Sequence, residues 1–95
     1  MYTEIMDIYS LHKKFIECNQ KISTDTRTLI QGSIFFAWKG AEHDGNIHAE
    51  QALAQGAKYA VIDNPKYAAD NRYILVSNGI KALQELARYH REQFD

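Results

Sequence analysis

The sequence is poor in the residues that impose unusual constraints. It has one cysteine, Cys18, so no internal disulfide can form and a reducing cytoplasm fits best. One proline, Pro65, and five glycines exclude a collagen-like or Pro/Gly-rich low-complexity chain. Neither sign of charge is in excess: 11 Lys and Arg face 12 Asp and Glu, a formal net charge of -1. That argues against a nucleic-acid module, which shows a basic excess on one face. No apolar run approaches the roughly 18 residues of a membrane span. The segment Met1 to Asp7 carries acids where a secretory signal carries bases, and no apolar stretch follows it. The four histidines, His12, His43, His48 and His90, are scattered. None lies at metal-ligand spacing with another or with Cys18, so no metal site is expected. Cys18 has no base beside it in sequence and reads as a passive thiol.

What remains is ordinary globular composition, with 45% hydrophobic and 24% charged residues in 95. One domain over residues 1–95 is expected, burying roughly 60–65% of the surface of its unfolded chain. Thr3 can cap a helix running to about Phe15, with Ile5, Ile8, Tyr9, Phe15 and Ile16 as its apolar stripe. Glu17 to Lys21 reads as a loop, Ile22 to Thr26 as a short extended segment, and Gln31-Gly32 as a turn. Ser33 to Lys39 is apolar without alternation, which suits a strand covered on both faces; Trp38 is then core. Asn46 can cap a helix with the stripe Ala49, Ala52, Leu53, stopped by Gly56. Tyr59 to Ile62 and Tyr73 to Val76 are further strands. Ser77 or Asn78 caps a last helix whose Ile80, Leu83, Leu86, Ala87 and Tyr89 face inward. The unit from Ser33 to Ile62 is a βαβ crossover, which implies parallel pairing. The fold class is α/β: a small, mostly parallel sheet with helices on both faces. The last helix reaches Asp95 without a stop signal, and the chain reads as the N-terminal piece of a longer protein.

Two stretches carry chemistry. If residues 22–27 are extended, Thr24 and Thr26 share one face and Asp25 and Arg27 the other. Two hydroxyls suit a neutral polar ligand such as a nucleobase edge, with Asp25 and Arg27 bracing the turn. Spacing alone favours a plainer reading, a sheet edge with solvated hydroxyls and a weak surface ion pair. The loop Gly40-Ala41-Glu42-His43-Asp44-Gly45 joins a strand's carboxyl end to a helix start, where α/β sheets bind ligands. Backbone N–H groups there suit a phosphate, and His43 adds a donor. No Gly-Lys-Ser/Thr follows, so it is not an ATP-binding loop. A plain βα turn is an equal alternative. His48 reads as a packed histidine.

The ordered set Thr24-Asp25-Thr26-Arg27, then Gly32 to Gly40, then Asp44-Gly45 before a helix, then Ala52 to Ile62, resembles the N-terminal domain of the Mur ligases. The likeness covers about Ile22 to Phe94. It is greatest to the members that join D-alanyl-D-alanine to UDP-MurNAc-tripeptide; the sibling that adds the third peptide residue is the alternative. The resemblance implies a domain that holds the UDP end of a UDP-MurNAc-peptide. Two further domains of the same chain would bind ATP and Mg2+ and the incoming amine. It places substrate contacts at Thr24, Thr26, Ala41, Glu42 and His43, supported by Asp25, Arg27, Gly40, Asp44 and Gly45. It implies no catalytic residue, cofactor or metal within these 95 residues, and a fragment inactive as a ligase by itself. Gln31 departs from a frequent proline, His48 from a frequent apolar aromatic, and Glu42 would repel a diphosphate if it pointed inward. A reading of another class is an interaction domain without a small-molecule site.

Overall fold

Alternation along the strands decides which helix covers which face of the sheet. The structure, a computed structural model, describes residues 5–38 and 44–93. Its elements are α1 (Ile8–Glu17), β1 (Ile22–Ser23), β2 (Ile34–Phe36), α2 (Ala49–Ala54), β3 (Tyr59–Ile62), β4 (Tyr73–Leu75) and α3 (Gly79–Glu92). Single 3-10 turns occupy Thr26–Thr28, Gly45–His48 and Pro65–Tyr67. The strands pair in chain order and all parallel. Phe35, Ala37, Ala60, Ile62, Tyr73 and Leu75 point to one face, where Ala49, Ala52 and Leu53 of α2 cover them. Ile34, Phe36, Val61, Ile74 and Val76 point to the other, beneath Leu11 and Phe15 of α1 and Leu86 of α3. The unbroken apolar runs are thus explained: each strand is buried on both sides. The expected α/β class, with helices on both faces, is what forms.

Local chemistry shifts several boundaries. Thr3 lies outside the described residues. The first helix begins at Ile8 rather than just after Thr3, because the Asp7 carboxylate accepts the Ser10 N–H at 2.8 Å. Before it, the Met6 N–H donates to the Leu75 carbonyl at 2.9 Å, which holds that segment along β4 instead of in a helical turn. The stripe of α1 is also rotated: Leu11, Phe15 and Cys18 are buried, while Ile5, Tyr9 and Ile16 are exposed. The last helix departs likewise. Gly79 and Leu86 face the sheet, and Ile80 and Ala87 are exposed. Asn78 is its cap, accepting the Lys81 N–H at 2.9 Å. Asn46 caps no helix. It sits inside the 3-10 turn Gly45–His48, for which Asp44 is the cap. Burial pushes the Cys18 thiol above its ordinary range, in keeping with a passive role.

The seam between α1 and α3 joins two histidines that lie 78 positions apart, which no local spacing reveals. His12 Nε2 and His90 Nδ1 are 3.0 Å apart, so one ring donates to the other. The bond survives with both rings neutral or with one charged, but two imidazolium rings have no acceptor left. Burial first, then His90, hold the His12 pKa below its ordinary value. A histidine whose folded pKa is depressed gives stability that is complete above the unfolded value of about 6.5. That stability is lost as pH falls through this value toward the folded one. The melting temperature is therefore expected to fall as pH drops below about 6.5. Each kcal/mol lost is roughly 4–8 °C in a domain of this size. Thermal denaturation across pH checks it. His12→Gln should flatten the slope, and an equal slope in wild type and variant would show that the pair does not carry it.

Candidate functional site

In a parallel sheet, side chains that leave the carboxyl ends of adjacent strands face a common crevice. Here the segment after β1 and the segment after β2 enclose an open cleft of about 530 Å³. Thr24, Asp25, Thr26 and Arg27 line one wall, Trp38, Gly45 and His48 the other, with Phe35 between. Gly40, Ala41, Glu42 and His43 lie outside the described residues, so the structure tests none of these four. Asp44 and Gly45 are described, and Gly45 borders the cleft.

The first wall is not the extended segment expected from alternation. Strand β1 ends at Ser23, and Asp25 caps the 3-10 turn Thr26–Thr28. The Asp25 carboxylate accepts the Arg27 N–H at 2.8 Å, an Asx turn that bends the backbone within two residues. The same carboxylate takes Arg27 Nε at 3.1 Å and Nη2 at 2.6 Å. Asp25 and Arg27 therefore do form a brace, but on the same side as the threonines, so the two-face reading is corrected. The Arg27 side chain is 86% exposed, and the pair contributes little to stability. Its value is positional: it fixes a guanidinium at the mouth of the cleft. The hydroxyls of Thr24 and Thr26 make no hydrogen bond among the described residues. Below them, Ser23 Oγ lies 2.9 Å from Ser33 Oγ, and the Ile30 N–H donates to Ser23 Oγ at 2.9 Å. That buried pair ties both ends of the loop to the sheet edge.

The second wall rests on a close backbone approach. The Gly45 N–H donates to the Trp38 carbonyl at 2.8 Å. A Cβ on Gly45 would lie 2.7 Å from that oxygen, so no larger residue fits without moving the wall. Trp38 is 39% exposed and borders the cleft, which corrects its reading as core. The strand ends at Phe36, and the departing backbone turns the indole outward. His48 is half-buried and also lines the cleft rather than only packing inside. Apolar pattern had hidden both residues. Their position after a strand's carboxyl end was the usable signal. Among the described residues no cluster of His, Cys, Asp and Glu is set to hold a metal ion. Among them too, no helix is long and apolar enough to cross a membrane.

A cleft with hydroxyls and a guanidinium on one side and an indole and imidazole on the other suits a ligand that is part aromatic and part anionic. The chain also resembles known proteins. The model of the Mur ligase family, catalytic domain, matches residues 20–91. A UDP-N-acetylmuramoyl-tripeptide--D-alanyl-D-alanine ligase of Haemophilus influenzae is 36% identical over 76 residues, 80% of this chain and 17% of the relative. A UDP-N-acetylmuramoyl-L-alanyl-D-glutamate--2,6-diaminopimelate ligase of Geobacillus kaustophilus is 38% identical over 66 residues, 70% of this chain and 13% of the relative. The crystal structure of MurF from Acinetobacter baumannii matches 98% of this chain and 22% of its own, with TM-score 0.67 at 25% identity. That of MurF ligase from Thermotoga maritima in complex with ADP matches 73% and 16%, with TM-score 0.65 at 28% identity. The chain thus spans less than a quarter of the length of each of these relatives, between 13% and 22%.

Proposed function

The chain belongs to the Mur ligase family, and we propose that its cleft anchors the UDP end of a UDP-MurNAc-tripeptide for ATP-dependent addition of D-alanyl-D-alanine in cytoplasmic peptidoglycan precursor synthesis. The observation that carries this reading is the gathering of Thr24, Thr26, Arg27, Trp38 and His48 around one hollow at the carboxyl ends of β1 and β2. In it the Thr24 and Thr26 hydroxyls meet the uracil edge, the Trp38 ring offers a stacking face, and Arg27 lies toward the diphosphate. By the family resemblance, Ala41, Glu42 and His43 supply the remaining substrate contacts. A further, central domain would hold ATP and Mg2+, which would supply activation of the peptide carboxylate, and a third domain would help bind the incoming amine. This chain's own residues bind and orient; none of them is a catalytic residue.

A second reading within the family has support in the 38% identity to the diaminopimelate-adding enzyme. Ligase assays of the full-length protein, offered D-alanyl-D-alanine or diaminopimelate as amine, separate the two. For the chain itself the test is NMR titration with UDP. Shifts are expected at Thr24, Thr26, Trp38, Gly45 and His48. Shifts confined to α1 or to residues 64–71 would remove the site, and no binding at all would favour an interaction domain. Thr26→Val keeps the β-branched shape and removes one hydroxyl. It is expected to weaken UDP by roughly 2- to 12-fold, the effect of one neutral hydrogen bond. Unchanged affinity in that variant would take Thr26 out of the contact set.

A further inference from the structure

Asn46 is a polar side chain only 1% exposed, and its hydrogen bonds join the turn of the second wall to Asp63 after β3. Its Nδ2 donates to Asp44 Oδ1 at 2.7 Å and to Asp63 Oδ1 at 2.9 Å. Its Oδ1 accepts the Asp63 N–H at 2.9 Å. The two ends of the amide cannot be exchanged, because a flipped carbonyl would face two carboxylate oxygens. Asp44 Oδ1 also accepts the Asn46 N–H at 3.0 Å, which closes the turn around Gly45. Asp63 follows β3, and its Oδ2 accepts the Gly79 N–H at 3.0 Å, the first residue of α3. A continuous chain of bonds thus runs from α3 through Asp63 and Asn46 to the turn that holds Gly45 against Trp38.

We infer that Asn46 is the positioning residue of the cleft: without touching the ligand, it sets Gly45 and Trp38 at their distance from the Thr24–Arg27 wall. The inference rests on the nucleotide reading of the cleft for its effect on binding, but not for its effect on Trp38. The residue type is demanded by its neighbours. Only an amide donates twice to two carboxylates on one end and accepts a backbone N–H on the other. An apolar residue of the same size would leave the Asp63 N–H buried and unpaired.

Asn46→Asp supplies the test, because it keeps size and shape and exchanges the doubly donating NH2 for an oxygen whose charge follows pH. At about pH 8 a carboxylate at this position faces Asp44 and Asp63, and the turn must open to separate three charges. Such a cluster raises the pKa of one member, so acidification returns an O–H donor and a neutral acceptor. Other charged groups near the turn are Asp25, Arg27 and His48 in the cleft and Glu50 and Lys66 on its far side. Taking the ratio of variant to wild type at each pH cancels their titration. Two readouts are taken on samples shown by circular dichroism to be folded. Trp38 is the only tryptophan of the chain, so indole emission reports on this wall alone. The variant is expected to differ from wild type in emission at about pH 8 and to move toward it near pH 5, where one O–H restores one of the two donor bonds. UDP affinity should fall about tenfold or more at pH 8 and recover in part at pH 5. Asn46→Ala should show both defects at both pH values, and it carries the test if the aspartate variant does not fold at pH 8. Wild-type emission in both variants, or a defect in Asn46→Asp that ignores pH, would overturn the positioning role. If wild type binds no UDP while the emission of Asn46→Asp follows pH as expected, the nucleotide reading falls and the positioning role stands.

Discussion

Gly79→Ala is expected to lower stability by about 3 kcal/mol, the upper end of ordinary overpacking, or roughly 12–24 °C in melting temperature. A Cβ at this position would strike the carbonyl oxygen of Ala37, closer than any real side chain approaches backbone. Neither partner can yield cheaply. The Ala37 N–H is bonded to the Val61 carbonyl at 2.9 Å, which continues the β2–β3 ladder. The Gly79 N–H is bonded to Asp63 Oδ2, so moving α3 away breaks the link that fastens its first residue. The glycine is required for closeness, not for conformation. Gly32 provides the contrast: it has φ +76 and open space around the Cβ position. Gly32→Ala should cost only the left-handed backbone strain of about 1–2 kcal/mol. Thermal denaturation of both variants checks the pair. A smaller loss at Gly79 than at Gly32 would mean that α3 does not approach β2 as closely as described.

The order of elements was legible because each strand is an apolar run bounded by turn residues, and the helices between them have period near 3.6. The inner faces were less so, and the reason lies in the α1–α3 seam. Tyr9 is exposed, yet its ring meets the Tyr89 ring edge-on at 5.3 Å. Such rim residues are apolar without being core, and they pull a periodicity reading one position off. The buried line through Leu11, Phe15 and Cys18 includes a cysteine that no hydropathy pattern singles out. In α3 the residue nearest the sheet is Gly79, which has no side chain to announce itself.

The site was legible in half. Thr24, Asp25, Thr26 and Arg27 stand out because hydroxyls, an acid and a base crowd four positions. Their arrangement did not follow from alternation, because one carboxylate bonded to the N–H two residues on converts extension into a 3-10 turn. The other wall left little local trace. Trp38 closes an apolar run and so looks like core. Asn46 and Asp63 are 17 positions apart, and a pair joined only by the parallel crossover has no local signature. Sequence resemblance pointed to the segment after β2, of which residues 40–43 lie outside the described residues, and did not single out Asn46.

Phe35→Ala is expected to be the most damaging single change to both fold and binding, and Phe36→Ala separates the two effects. Both rings are buried, at 2% and 1% exposure, in adjacent positions of β2. Each truncation should cost about 3–5 kcal/mol through lost contact and an unfilled cavity. A domain of this kind has about 5–15 kcal/mol to lose, so both variants stay folded only under mild conditions. They differ in the face they leave open. Phe35 points toward α2 and reaches the cleft floor beside Gly45 and His48, while Phe36 points toward α1 and α3. Measured at low temperature, UDP affinity of folded Phe35→Ala should fall about tenfold or more, since roughly 1.4 kcal/mol of apolar contact suffices for that. Folded Phe36→Ala should bind within about twofold of wild type, because additivity holds for a site on the opposite face of the sheet. Phe35→Leu should restore most of both properties by refilling the floor. Melting curves and UDP titrations of the three variants give the comparison. An equal loss of affinity in Phe35→Ala and Phe36→Ala would mean that Phe35 supports the strand and is not itself the floor of the site.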